Sequence, residues 1–199
     1  MPKRLPFVQG GYYHIYNRGA GRQAILYEER NYIYVLRLLK EVARESDVTV
    51  IAYCLIPNHY HWLLRQDGET PAGKVPARVF GSYSQAFNRA YDRTGTLFEG
   101  PYKALVVDTD DYFVNLCCYI HVNPVHHGLV DTVDDWRYSN YLEWIEKRPG
   151  TLVDRELVRA YFATPEAYEA CVRDFQQRYT FQEAAIFLEG KGIVHDDCL

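Results

Sequence analysis

Residues 48–56, VTVIAYCLI, form an almost unbroken apolar and β-branched run, and HYHWLLR follows after only Pro57 and Asn58. Short apolar runs joined by a Pro-Asn turn predict two adjacent strands. Upstream, GYYHIYN at 11–17 alternates and is rich in aromatics, which predicts a first strand running into a loop at RGAGRQA. From about 28 to 45 the apolar residues Ile33, Leu36, Leu39 and Val42 recur at helical spacing and predict a first helix. A loop over 67–76 leads to a second amphipathic helix, roughly 76–93, with RTG as a glycine stop. LFEGPYKALVVD, 97–108, predicts a fourth strand bent at Gly100-Pro101. The order βαββαβ points to an α+β, ferredoxin-like fold: one antiparallel sheet with both helices on one face and the other face free for a ligand.

After the sheet, TDDYFVNLCCYIHVNP predicts a further helix. Thr109 is placed to cap it, Asp110 and Asp111 suit the positive end of its dipole, and Pro124 is expected to stop it. The remaining chain predicts helices near 134–147, 154–162 and 165–178. This divides the chain into a core domain over 1–145 and an acidic helical C-terminal extension over 146–199.

Composition changes the picture in three respects. With 48% apolar and 24% charged residues, the chain can bury an ordinary core. No run approaches the ~18 apolar residues of a membrane span, and MPKRLPFVQG has no apolar signal region, so an intracellular (cytoplasmic) protein with no membrane partner is expected. The five cysteines (Cys54, Cys117, Cys118, Cys171, Cys198) are irregularly spaced without a CxxC pair, which favours reduced thiols over disulfides or zinc. The net charge of −4 hides a split: residues 1–105 carry 14 Lys+Arg against 9 Asp+Glu, and residues 106–199 carry 8 against 17. A basic working face on the N-terminal part is expected, with an acidic C-terminal part.

The candidate chemistry begins with His59 and His61. On one strand their side chains leave the same face about 6.7 Å apart, close enough to share an ion, while Tyr60, Trp62 and Leu64 point to the opposite face. Two imidazoles are an incomplete ligand set. In YIHVN, Tyr119 and Asn123 stand at i and i+4, on one side of the predicted helix. If that helix leans on the strand, a His-His-Asn set leaves the full charge of a divalent cation available to a phosphate, with a phenol beside it as nucleophile. Asn123 before Pro124 also suits turn chemistry at a helix end. His121, His126 and His127 read as surface or loop residues.

PNHYHWLL resembles the HUH motif (histidine, bulky residue, histidine) of the single-tyrosine DNA transposases. YIHVNPVHHGLV is similar to the nucleophile helix of their REP-associated branch, and YHIYNRGAGRQAIL and FNRAYDRTGTLFEGPYKALVVD resemble other parts of that family, so that the likeness spans roughly residues 8 to 142. The resemblance implies a ferredoxin-like domain with an added nucleophile-bearing helix. It also implies a metal-dependent endonuclease and strand transferase acting on single-stranded DNA beside a hairpin. Tyr119 would form a 5′-phosphotyrosine link and release a 3′-hydroxyl. His59, His61 and Asn123 would hold Mg²⁺ or Mn²⁺, the family's ions, although two imidazoles alone suit zinc equally. Related enzymes include monomers and obligate homodimers.

DNA contacts are expected from Lys3, Arg4, Arg18, Arg22, Arg78, Arg89, Arg93 and Lys103, with Tyr12, Tyr83 and Tyr102 as candidates for base stacking. The rival readings are a hairpin-binding protein that does not cut and a metal phosphoesterase that uses water. A covalent protein–DNA adduct separates both from the tyrosine mechanism.

Overall fold

The computed structural model describes residues 6–180 and 182–184. Its sheet contains β1 (Tyr12–Arg18), β2 (Val48–Ile56), β3 (His59–Gln66) and β4 (Lys103–Val107), in the order β2-β3-β1-β4 with every neighbouring pair antiparallel. Helices α1 (Glu29–Glu45) and α2 (Lys74–Ala90) pack on one face. This is the expected βαββαβ arrangement.

Alternation along the strands sorts the side chains. Tyr13 and Ile15 of β1 and Tyr60, Trp62 and Leu64 of β3 enter the core beneath α1 and α2, together with Val35, Leu39, Val79 and Phe87. Burying each of the large side chains stabilises the fold by about 1.5–3 kcal/mol. Helix α1 is started by a reciprocal cap: the Glu28 side chain accepts from the Asn31 backbone, and the Glu28 N–H donates to Asn31 Oδ1 at 3.0 Å.

The opposite face is covered by the helix expected to lean over it, and by more than that helix. Helix α3 (Asp110–His126) lies across it, and α5 (Arg155–Tyr161) and α6 (Pro165–Arg178) pack on α3, so that Leu63, Leu116, Ile120, Val158, Tyr168 and Phe175 belong to one second core. The cause is the apolar character of α3: from Leu116 to Pro124 every residue is buried. An amphipathic helix leaves one side wet; this one leaves none over that stretch, where Tyr119, His121 and Asn123 are enclosed with the apolar residues.

Several local expectations change for identifiable reasons. Helix α3 begins as expected, with Thr109 Oγ1 accepting from the Tyr112 N–H at 3.3 Å, but Pro124 does not stop it. The proline sits inside the last turn. The stop is Gly128, which takes φ +64°, while the Gly128 and Leu129 N–H groups donate to the Val125 and Pro124 carbonyls at 2.9 Å each. That is a paired-carbonyl cap built on a left-handed glycine. Helix α2 ends at Ala90 with Tyr91 as its cap, short of RTG.

The helix expected over 134–147 is reduced to a one-turn 3₁₀ segment, Val133–Asp135, and a four-residue α4 (Tyr141–Trp144). Residues between them run beside β2 instead. The Leu55 N–H donates to the Tyr138 carbonyl at 3.0 Å, and the Tyr53 N–H donates to Asn140 Oδ1 at 2.8 Å. This strip occupies hydrogen-bonding groups on the outer edge of β2 that would otherwise be open. Among the described residues no helix is long and apolar enough to cross a membrane.

Candidate active site

Strand β3 presents His59 and His61 on the face that α3 covers, and α3 brings Tyr119 and Asn123 onto them in matching order. The Tyr119 ring meets His61 edge-on, with centroids 5.4 Å apart. Asn123 Oδ1 lies 3.1 Å from His59 Nε2. The i, i+4 spacing on the helix thus matches the i, i+2 spacing on the strand, because both pairs step along one line of contact. All four side chains are buried, His59 at 4% exposure and Tyr119 at 1%.

Burial fixes the charge of the imidazoles. His59 is pushed down to about 3, chiefly by burial and next by the neighbouring His127. His61 is lowered well below the usual histidine range by burial and then by His14 and His59. Both rings are therefore neutral near pH 7 and present lone pairs.

The hydrogen-bond pattern fits a bound cation. His59 has an amide oxygen at each ring nitrogen, Asn58 Oδ1 2.9 Å from Nδ1 and Asn123 Oδ1 3.1 Å from Nε2, and a neutral ring donates to only one of them. With the proton on Nδ1, the Nε2 lone pair and Asn123 Oδ1 are two ligand atoms placed for a cation to join. Adjacent ligands of an octahedral ion with bonds near 2.1 Å stand about 3 Å apart. His61 Nε2 is a further buried nitrogen with no hydrogen-bond partner. The donor set therefore fits a divalent ion held by two imidazoles and an amide. Among the described residues no cluster of three or more His, Cys, Asp or Glu side chains could hold a metal.

One member of the site was not legible as a candidate. His14 of β1 is 1% exposed, and its Nε2 lies 2.9 Å from His61 Nδ1. Tyr16 stacks beside both rings, at 4.9 Å from His14 and 5.6 Å from His61. The alternation of YYHIYN could have placed His14 and Tyr16 on one face, but only the register Tyr16↔His61 shows which neighbour they meet. His127 also reaches the site, with its ring 4.7 Å from that of His59. His121 is neither surface nor loop: it is fully buried, with Nδ1 2.6 Å from the Tyr168 hydroxyl and Nε2 2.9 Å from Asn140 Oδ1.

The basic candidates divide. Arg18 stands opposite His59 in the β1–β3 register and pairs with Glu99 at 2.9 Å. Lys103 pairs with Tyr16 in the β1–β4 register, its Nζ 5.9 Å from the Tyr16 ring. These two share the histidine face. Arg78 pairs with Glu45, and together with Arg89 it belongs to α2, on the far side of the sheet. Arg93 follows α2 and donates to the Tyr27 hydroxyl at 2.9 Å. Arg22 is exposed in a short turn after β1, and Lys3 and Arg4 lie outside the described residues. One continuous basic face is therefore not what the fold builds. Tyr83 is no stacking platform either, since it is buried with its hydroxyl on the Ile25 carbonyl.

The family model described as "Transposase IS200 like" matches residues 7–123, from the approach to β1 through Asn123. The chain belongs to the IS200-like transposase family. The matched span contains His14, His59, His61, Tyr119 and Asn123 and stops short of the C-terminal helices. A Haemophilus influenzae protein named as a REP-associated tyrosine transposase is 24% identical over 156 residues, 69% of this chain and 84% of its own. The solved structure of a REP-associated tyrosine transposase bound to a REP hairpin aligns with TM-score 0.60 and 18% identity, over 77% of this chain and 94% of that one. It shares the fold of this IS200-like family member.

Proposed function

We propose that this IS200-like transposase is of the REP-associated type and cuts and rejoins single-stranded DNA beside a hairpin. Tyr119 is the nucleophile, and His59, His61 and Asn123 are the ligands of a divalent ion, Mg²⁺ or Mn²⁺. The observation that carries the reading is the double match between α3 and β3, Tyr119 on His61 and Asn123 on His59. The name of the Haemophilus relative and the hairpin bound by the structural neighbour support the class of substrate.

When bound, the ion polarises the scissile phosphate and offsets the charge that gathers on its oxygens. The Tyr119 oxygen forms a bond to phosphorus as the bond from phosphorus to the 3′-oxygen breaks. The phenol proton leaves to solvent, and the 3′-oxygen takes one up and departs as a hydroxyl. The product is a 5′-phosphotyrosine, which the same or another 3′-hydroxyl reverses. Because burial keeps His59 and His61 neutral, neither competes for that proton near pH 7. Lys103 and Arg18, on the same face, lie where phosphate charge is to be balanced.

The test is incubation with Mn²⁺ and hairpin-bearing single-stranded oligonucleotides, followed by a denaturing gel. A protein band shifted by attached DNA in the wild type, and absent from Tyr119→Phe and His61→Ala, is expected. Cleavage that persists in Tyr119→Phe without a shifted band makes water the nucleophile. Hairpin binding with neither product makes the protein a binding module.

A further inference from the structure

The contact between His14 and His61 adds a residue to this site, and the inference rests on the metal-site reading above. A neutral imidazole carries one N–H, so across the 2.9 Å contact one ring donates and the other accepts. Two arrangements are open. If His14 Nε2 donates, His61 must carry its own proton on Nε2, a nitrogen with no hydrogen-bond partner. If His61 Nδ1 donates, the His14 proton moves to its Nδ1, which also has no partner, and His61 Nε2 becomes a lone pair. Each arrangement strands one buried N–H, so hydrogen bonding within the protein does not choose between them. A cation does: only the second arrangement gives it a ligand at His61 Nε2.

We propose that His14 is a positioning residue for His61: by accepting the His61 Nδ1 proton it fixes the ring and leaves the Nε2 lone pair of His61 for the ion. The neighbouring ligand offers the same design with a different acceptor, since Asn58 Oδ1 lies 2.9 Å from His59 Nδ1. Metal-binding histidines generally use their second nitrogen in this way. The two ligands differ in where the acceptor comes from. Asn58 is local, in the turn before β3, whereas His14 crosses from β1, so the His61 ring is also fixed to the strand register. Tyr16, stacked beside both rings, limits their rotation.

The experiment measures Mn²⁺ affinity by calorimetry on the full chain, together with the His61 tautomer by ¹⁵N–¹H correlation in Mg²⁺. Three variants are compared with the wild type. His14→Gln keeps an acceptor oxygen near the position of Nε2, His14→Asn is too short to reach His61, and His14→Phe keeps the stacking shape without an acceptor. Wild type and His14→Gln should bind Mn²⁺ within a few-fold of each other, with His61 protonated on Nδ1. His14→Phe and His14→Asn should bind about 10- to 100-fold more weakly. If His14→Phe does not fold, the comparison of Gln with Asn decides alone. Unchanged affinity in His14→Asn and His14→Phe overturns the inference, as does a loss in His14→Gln equal to theirs. A wild type that binds no Mn²⁺ overturns the metal-site reading itself, which is a different result from four proteins that bind alike.

Discussion

Asn123 Oδ1 and His59 Nε2 face each other at 3.1 Å across the seam between α3 and β3. On the metal-site reading the His59 proton sits on Nδ1 and a cation joins the two facing atoms. Asn123→Leu should therefore weaken Mn²⁺ binding at least about tenfold while leaving the helix in place. Asn123→Asp, which keeps an oxygen and adds charge, should bind as tightly as wild type or more so. Calorimetric titration distinguishes the cases, and equal affinity in Asn123→Leu would remove Asn123 from the ligand set.

The basic residues make a second, spatial prediction. Lys103 and Arg18 lie on the histidine face, and Arg78 lies on α2 across the sheet in an ion pair with Glu45. Lys103→Ala and Arg18→Ala should each weaken hairpin DNA binding and lower its salt dependence by the share of about one phosphate contact. Arg78→Ala should change neither. Fluorescence anisotropy over a range of salt concentrations gives both quantities, and a larger effect from Arg78→Ala would relocate the DNA path to the helix layer.

What the sequence made legible follows from where its signals were local. The β2–β3 hairpin, with its Pro57-Asn58 turn, and the opposed faces of His59/His61 and Tyr60/Trp62/Leu64 needed only alternation and turn chemistry. The Tyr119/Asn123 pair needed only the helical repeat. His14 was missed because its partner is set by strand register, a long-range property that periodicity does not carry. The lean of α3 over the sheet was legible, but its enclosure by α6 was not: the apolar stretch of α3 was read for its polar ligands rather than as a surface to be covered. The helix expected at 134–147 failed because Tyr138 and Asn140 bond to β2, a tertiary pairing that overrides local pattern.

The His121 network predicts stability effects that are independent of any ion. Asn140 Oδ1 accepts from the Tyr53 N–H and from His121, and Asn140 Nδ2 donates to the Ile51 and Leu152 carbonyls at 2.8 and 3.0 Å. His121 then accepts from the Tyr168 hydroxyl on α6. Removing that hydroxyl leaves a buried nitrogen unpaired, so Tyr168→Phe should cost about 1–3 kcal/mol in urea unfolding. Asn140→Ala strips more bonds at once and should cost more. Tyr161→Phe, whose hydroxyl meets Asp110 at the surface, should cost under about 1 kcal/mol. A Tyr168→Phe loss no larger than that of Tyr161→Phe would mean that α6 is held by apolar packing alone.

Acid sensitivity follows from the same enclosed histidines. Burial holds His14 and His59 down to about 3 and His121 down to about 4, against 6.5 for an exposed histidine. Below pH 6.5 the unfolded chain therefore takes up protons that the folded chain refuses until pH 3–4. Stability from these groups is complete above the unfolded value, and it is lost progressively as pH falls through the window towards the folded values. Carboxylates titrate mostly below that window, so the interval from about pH 7 to about pH 5 isolates the histidines. The melting temperature of chelator-treated protein should fall steadily across it, and His14→Gln, which removes one such group, should show a shallower fall. A melting temperature that stays level from pH 7 to pH 5 would mean that these rings titrate in the folded protein as they do in the unfolded chain, and the lowering of His59 by burial would fail with it.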